Sequence, residues 1–379
     1  MINKNTTNTP DSPKDFSDLI EGDDLPKQAI DNYPLDNLLI RTETRAIIDV
    51  LRRIDQGMVF LDPDFQRDFI WKEERQSRLV ESVLMRIPLP VFYLAENTAG
   101  RLVVVDGLQR LSTLNRFHAN ELILSLPNSN ELNSKTFKML TQKLQNRFED
   151  GQLTLYLIDP RVPDRVQLDI FERVNSGVPL TRQQMRNALY NGPATKLLRD
   201  LSSCEDFLNA TDNILLTENH KSNMRDREVV NRFLAFQTLG WAEYVKRGTG
   251  DIDEFLGSAL KQINNSTETQ RSELEKSFRK SMRINHHLFG NRAFRKYSAP
   301  SERRKPFNIA LFDVLSVVFA KYKEAQILSK APEVKRTCEN LMNQREYHNA
   351  ISYATTSPEN VKTRFHQTET ALRGVVGDP

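Results

Sequence analysis

The stretch that decides the fold is Val91–Asn115, VFYLAENTAGRLVVVDGLQRLSTLN. Two short apolar runs, Val91–Ala95 and Leu102–Val105, flank a Gly-containing turn at Asn97–Gly100, the pattern of paired strands. The second run passes through Asp106-Gly107 into Leu108-Gln109-Arg110, and Leu111, Leu114 and Phe117 then recur at helical spacing. A strand that hands over to a helix in this way leaves free backbone N–H groups and the positive end of a helix dipole at one point, which suits an anion. Arg110 adds a planar charge that fits phosphate oxygens, and Asp106 is a candidate ligand for the Mg²⁺ that accompanies nucleotides. Taken alone, the same five residues also read as a plain strand–helix turn, with Asp106 capping and Arg110 solvated.

The chain around this unit reads in the same α/β manner. Apolar positions predict helices over Thr42–Ile54, Glu73–Arg86 and Thr136–Phe148, and strands at Met58–Leu61 and Leu153–Ile158. Pro163-Asp164 opens a further helix that Asn175-Ser176-Gly177 would end, and Thr181-Arg182-Gln183-Gln184 is a capping box. Beyond Asn191 the periodic segments are helical: Arg227–Phe236, Asp251–Ile263, Glu268–Leu288, Asn308–Lys323 and Glu333–Ile351. The expected class is α+β. Residues 1–33 would form a disordered or loosely ordered acidic tail, 34–190 a small α/β domain and 191–379 an all-helical domain packed on it.

Composition narrows the function classes. Apolar residues make up 39% and charged residues 27% of the 379, as in an ordinary globular protein. The longest apolar runs fall far short of the ~18 residues needed to span a bilayer, and the polar N-terminus lacks the apolar core of a signal peptide. Two cysteines, Cys204 and Cys338, rule out a disulfide framework or a CxxC-type zinc site. The cytoplasm is the expected compartment. Residues 1–39 carry eight acidic and three basic side chains, so the rest of the chain is more basic than the overall +3 indicates. A mildly basic body suits nucleotide or nucleic-acid partners and many other proteins besides.

Three further blocks change the weight of the central motif. Upstream are Gln66-Arg67-Asp68-Phe69-Ile70-Trp71 and Ile87-Pro88-Leu89-Pro90; downstream is Asn175-Ser176-Gly177-Val178-Pro179-Leu180. In this order, with Asp106–Arg110, they resemble the N-terminal domain of GmrSD-type modification-dependent restriction proteins, within the wider ParB/sulfiredoxin-like group. The resemblance covers about Leu38–Leu189 and departs at Leu108, where the family usually has Gln. It implies a ParB/sulfiredoxin-like fold and sets Gln66 and Arg67 beside the DGLQR loop. Many relatives carry a C-terminal HNH nuclease domain, which this sequence does not visibly contain. His286-His287 with Asn291 lacks the carboxylate or Cys cluster of a metal nuclease and reads as packing or capping.

The resulting expectation is a component of a prokaryotic or phage-related defence system that binds a nucleoside triphosphate with Mg²⁺. Asp106, Gln109 and Arg110 would be catalytic, Asp106 also holding the metal. Gln66, Arg67, Gly107, Arg110, Ser112, Thr113, Asn175, Ser176 and Gly177 would bind nucleotide, the last three by approaching base or sugar. Arg186 reads as a solvated helix residue that is at best near the pocket. If the family Gln positions water, Leu108 makes hydrolysis weak and Leu108→Gln should speed it; if Leu108 packs beneath the helix, the position is structural. The helical half would contact a partner protein or DNA. The rival reading has the same pocket grip or nick the DNA backbone, and a third keeps the fold as a non-enzymatic scaffold. Base, partner and oligomeric state are not written in the sequence.

Overall fold

The computed structural model describes residues 20–21, 40–61, 71–97, 100–129, 131–162, 164–174, 181–217, 223–297 and 303–379. Backbone contacts divide the chain into two units. One comprises residues 28–195 and 222–225; the other comprises 196–221, 226–379 and the N-terminal segment up to residue 27.

The first unit is built on a mixed five-stranded sheet. Its elements in chain order are β1 (Ile40–Ala46), α1 (Ile47–Asp55), β2 (Val59–Phe60), α2 (Glu73–Leu84), β3 (Phe92–Glu96), β4 (Leu102–Asp106), α3 (Leu108–His118), α4 (Gln142–Glu149), β5 (Gln152–Ile158), α5 (Asp164–Val174) and α6 (Arg182–Leu189). The strands lie in the order β1-β5-β3-β4-β2. The β1/β5 and β3/β4 pairs are antiparallel, whereas β5/β3 and β4/β2 are parallel. Leu94, Leu102, Val104 and the alternate residues Leu153, Leu155 and Leu157 share one core with side chains of α1–α4. Ala95, Val105 and Ile158 share another with Val166, Leu168 and Met185 of α5 and α6. Helices thus cover both faces, which is why β4 reads as an unbroken apolar run rather than an alternating one.

Three sequence expectations are corrected. Thr42–Ala46 is strand, not the first part of a helix: it pairs along β5, and the helix starts at Ile47, whose N–H donates to the Gly151 carbonyl at 2.8 Å. Thr136–Phe148 is a short 3₁₀ turn at Phe137–Met139 followed by α4, because Leu140 and Thr141 are extended. Glu333–Ile351 is two helices, Ala331–Asn343 and Arg345–Ala350, broken at Gln344 by its extended ψ of 132°. The capping box at Thr181 is present with both of its hydrogen bonds.

The second unit is helical. Its centre is Ile309–Lys321, in which every residue from Ile309 to Ala320 is buried, as expected of a helix that is apolar all round. Asp313 lies inside it. Arg232 Nε and Nη2 donate to the two Asp313 carboxylate oxygens at 2.8 and 2.6 Å, and Arg364 Nη2 donates to Oδ2 at 3.1 Å. Within the span expected to be tail, Ile20–Glu21 forms a parallel ladder with Phe307–Asn308, and Glu21 pairs with Lys296. Among the described residues no helix is long and apolar enough to cross a membrane.

Candidate functional site

At the end of β4 the backbone makes a forced turn. Pairing with β3 runs Tyr93↔Asp106 and then Leu94↔Val104, so Val105 is an extra residue that re-aims the strand end, as bulges beside sites often do. Gly107 follows at φ 98°. A Cβ there would stand 2.3 Å from Cδ1 of Phe92, a fully buried ring, so both the conformation and the space demand glycine. Helix α3 begins at Leu108, with no side-chain cap and no acidic residue in its first turn. Its first ladder bond runs from the Leu111 N–H to the Gly107 carbonyl at 2.8 Å. The ladder of α3 therefore opens at Leu111, one turn after the glycine.

Arg110 is held differently from a phosphate ligand waiting in solvent. Its Nη2 donates to Asp106 Oδ2 at 2.9 Å and to the Val91 carbonyl at 3.1 Å, and Nη1 donates to the Pro90 carbonyl at 2.5 Å. The guanidinium carbon sits 4.4 Å from the centre of the Phe92 ring. Burial lowers its pKa from the ordinary arginine value, with the Asp106 charge opposing. Arg110 thus ties the Pro88–Val91 segment to the strand end and fixes Asp106, whose side chain is 30% exposed.

The other predicted site residues divide. Asp106, Gly107, Gln109 and Arg110 lie together at the junction. Ser112 and Thr113 are buried, and the Thr113 hydroxyl donates to the Gln109 carbonyl at 2.7 Å, so neither hydroxyl is presented to solvent. Gln66, Arg67, Asn175, Ser176 and Gly177 lie outside the described residues. Leu108 is partly buried and packs against the main core. This favours the structural account of position 108. Leu108→Gln is accordingly expected to lower stability by about 1 kcal/mol, through lost apolar burial, with no gain in phosphate release. A melting curve and a phosphate-release assay on the two proteins check this, and faster release would restore a water-positioning role.

Arg186 is corrected outright. Far from solvated, it is fully buried, its Nε donating to Gln183 Oε1 at 3.0 Å. Gln183 Nε2 donates to Asn187 Oδ1 at 2.9 Å, giving α6 an internal polar face. The spacing 183, 186, 187 is one helical face, and that was the signal available in the sequence. His286 and His287 are exposed in the last turn of helix Glu268–Phe289, so their side chains are not part of the core. No cluster of three His, Cys, Asp or Glu side chains that could hold a metal occurs among the described residues.

Comparison with known families bears on this junction. Residues 47–191 match the family described as GmrSD restriction endonuclease, N-terminal domain. This stretch of the chain is similar to a GmrSD-type N-terminal domain. The match begins at the first residue of α1 and closes just beyond α6, so it holds the whole sheet except β1. It puts the chain in the context of a restriction or defence system. Neither the curated proteins nor the solved structures yield a match. Within the matched stretch, the DGLQR motif is the segment where strand end, glycine turn and helix start coincide.

Proposed function

We propose that the GmrSD-type domain binds the polyphosphate of a nucleoside triphosphate at the start of α3, as a sensing or regulatory step in a restriction system. The observation that carries this reading is the turn at Gly107, where the end of an inner strand meets the start of α3 over a glycine that no side chain can replace. Ligands in sheets flanked by helices gather outside the carboxyl ends of strands. Backbone N–H groups at such a point favour negative charge.

The side chains take the following roles in this reading. Arg110 serves as the brace that orients Asp106 and the Pro90–Val91 carbonyls. By the family resemblance alone, Arg67 and Gln66, which lie outside the described residues, are the further candidates for the phosphate. Asp106 offers one carboxylate oxygen beyond its bond to Arg110, which fits Mg²⁺, an ion usually held by one or two carboxylates and the phosphates themselves. Bound there, Mg²⁺ would neutralise phosphate charge. The start of α3 contributes backbone N–H groups to the anion, and the resemblance gives Asn175–Gly177, outside the described residues, to base or sugar. The helical unit is the surface for a protein partner or DNA.

Titration of ATP with Mg²⁺ against titration of a DNA duplex, each at several salt concentrations, tests the reading. Saturable nucleotide binding is expected. Binding of DNA alone, with a steep linear fall of log affinity against log salt, would transfer the pocket to the phosphate backbone of DNA.

A further inference from the structure

The side of the sheet that faces α5 and α6 is covered over only part of its length. Ala95 of β3, Val105 of β4 and Ile158 of β5 are buried there against Val166, Leu168 and Met185. Two residues earlier, on the same side of β3 and β5, stand Tyr93 and Tyr156. Both are only half-buried, although their strands are inner ones. The two rings meet edge to face, with centroids 5.2 Å apart and planes at 75°. They belong to one row across the sheet: Thr42 of β1 pairs with Tyr156, Tyr156 with Tyr93, and Tyr93 with Asp106 of β4. Residues directly opposite one another in a ladder point to the same side. The row therefore ends in the carboxylate that Arg110 holds. If the rings served packing alone, they would be as closed off as Ala95 and Ile158, each 0% exposed.

We infer that Tyr93 and Tyr156 form a shelf on which the base of the bound nucleotide stacks. The inference rests on the polyphosphate reading above and adds the surface that takes the base. Neighbouring strands lie about 4.8 Å apart, so Tyr93 stands one strand from Asp106 and Tyr156 two strands, about 10 Å, along the row. With the phosphates and Mg²⁺ at Asp106, the ribose lies over the first interval and the base over the second. In an edge-to-face pair, the ring that presents its edge keeps both of its own faces clear of its partner. The pair therefore does not close off its own π-faces, and the contact between the rings holds them in place before a ligand arrives. A base stacked on such a ring gains about tenfold to a hundredfold in affinity, whichever base it is, because every base has a π-face. Bare polyphosphate gains nothing from the shelf.

The test compares ATP with inorganic tripolyphosphate, each with Mg²⁺, on the full chain and on Tyr156→Leu, Tyr93→Leu and Tyr156→Phe. Titration calorimetry gives the affinities, and melting curves give the stability of each protein. The parent is expected to bind ATP about tenfold or more tightly than tripolyphosphate. Tyr156→Leu should lose roughly tenfold or more for ATP and nothing for tripolyphosphate, and Tyr93→Leu should repeat the pattern. Tyr156→Phe keeps the ring and should bind both ligands as the parent does. Where a leucine variant does not fold, the parent's own preference for ATP over tripolyphosphate carries the test. Equal affinity of the parent for the two ligands would overturn the shelf and leave the polyphosphate reading standing. So would leucine variants that bind ATP unchanged, or that lose both ligands alike. A parent that binds neither ligand removes the polyphosphate reading, and the shelf with it.

Discussion

Replacing Asp313 by asparagine is expected to lower the stability of the helical unit by about 3–5 kcal/mol, the cost of breaking a buried ion pair. The carboxylate and the Arg364 side chain are fully buried, and the Arg232 side chain is 5% exposed. Burial alone would lower the Arg232 pKa; the charge and hydrogen bonds of Asp313 reverse this and leave it raised. For Arg364 burial prevails, and its pKa is lowered despite Asp313. The cluster already holds two guanidiniums against one carboxylate. An amide in place of that carboxylate leaves both cations without their shared counter-charge and turns an N–H₂ toward one of them. Thermal melting followed by circular dichroism should show a fall of about 10–15 °C for a unit of this size. An unchanged melting curve would mean that the three groups are not buried together.

Gly107→Ala is expected to cost about 3 kcal/mol in the sheet-containing unit and to abolish the proposed nucleotide binding with it. Two independent penalties add. The left-handed backbone costs a non-glycine residue roughly 1–2 kcal/mol, and forcing a methyl into a packed core costs typically 1–3 kcal/mol. The new Cβ meets Phe92 at 2.3 Å and Arg110 Nη2 at 3.3 Å, so it presses on the ring and on the brace above it. Phe92→Leu in the same chain should recover the packing part and leave the backbone part. Denaturant unfolding of the single and double variants measures both. A Gly107→Ala protein as stable as the parent would show that the turn does not have the conformation described.

How much of this was legible in the sequence depends on where each element finds its partners. The β4–Gly107–α3 unit was readable because its signals are local: a strand buried on both faces, a glycine and a helical repeat. Strand β1 was not. Its Arg41-Thr42-Glu43-Thr44-Arg45 presents no apolar face, since it is an edge strand whose ladder is supplied by β5, more than a hundred residues later. The place of Arg110 at the strand–helix junction was legible, but its orientation was not, because the Pro90 and Val91 carbonyls that take its hydrogen bonds are brought to it by the sheet. Arg186 misled for the opposite reason. A charge on a short helix normally faces water, and here Gln183 and Asn187 make an internal polar face that accommodates it.

The most direct measurement is calorimetric titration of ATP with Mg²⁺ into the 379-residue protein and into Asp106→Asn, whose side chain keeps the shape of the aspartate and loses its charge. Saturable binding by the parent, weakened in Asp106→Asn more with Mg²⁺ than without it, is the predicted result. No heat of binding in the parent under conditions where it is folded, or equal affinities in the two proteins with the metal present, would contradict a Mg²⁺–polyphosphate site at the start of α3.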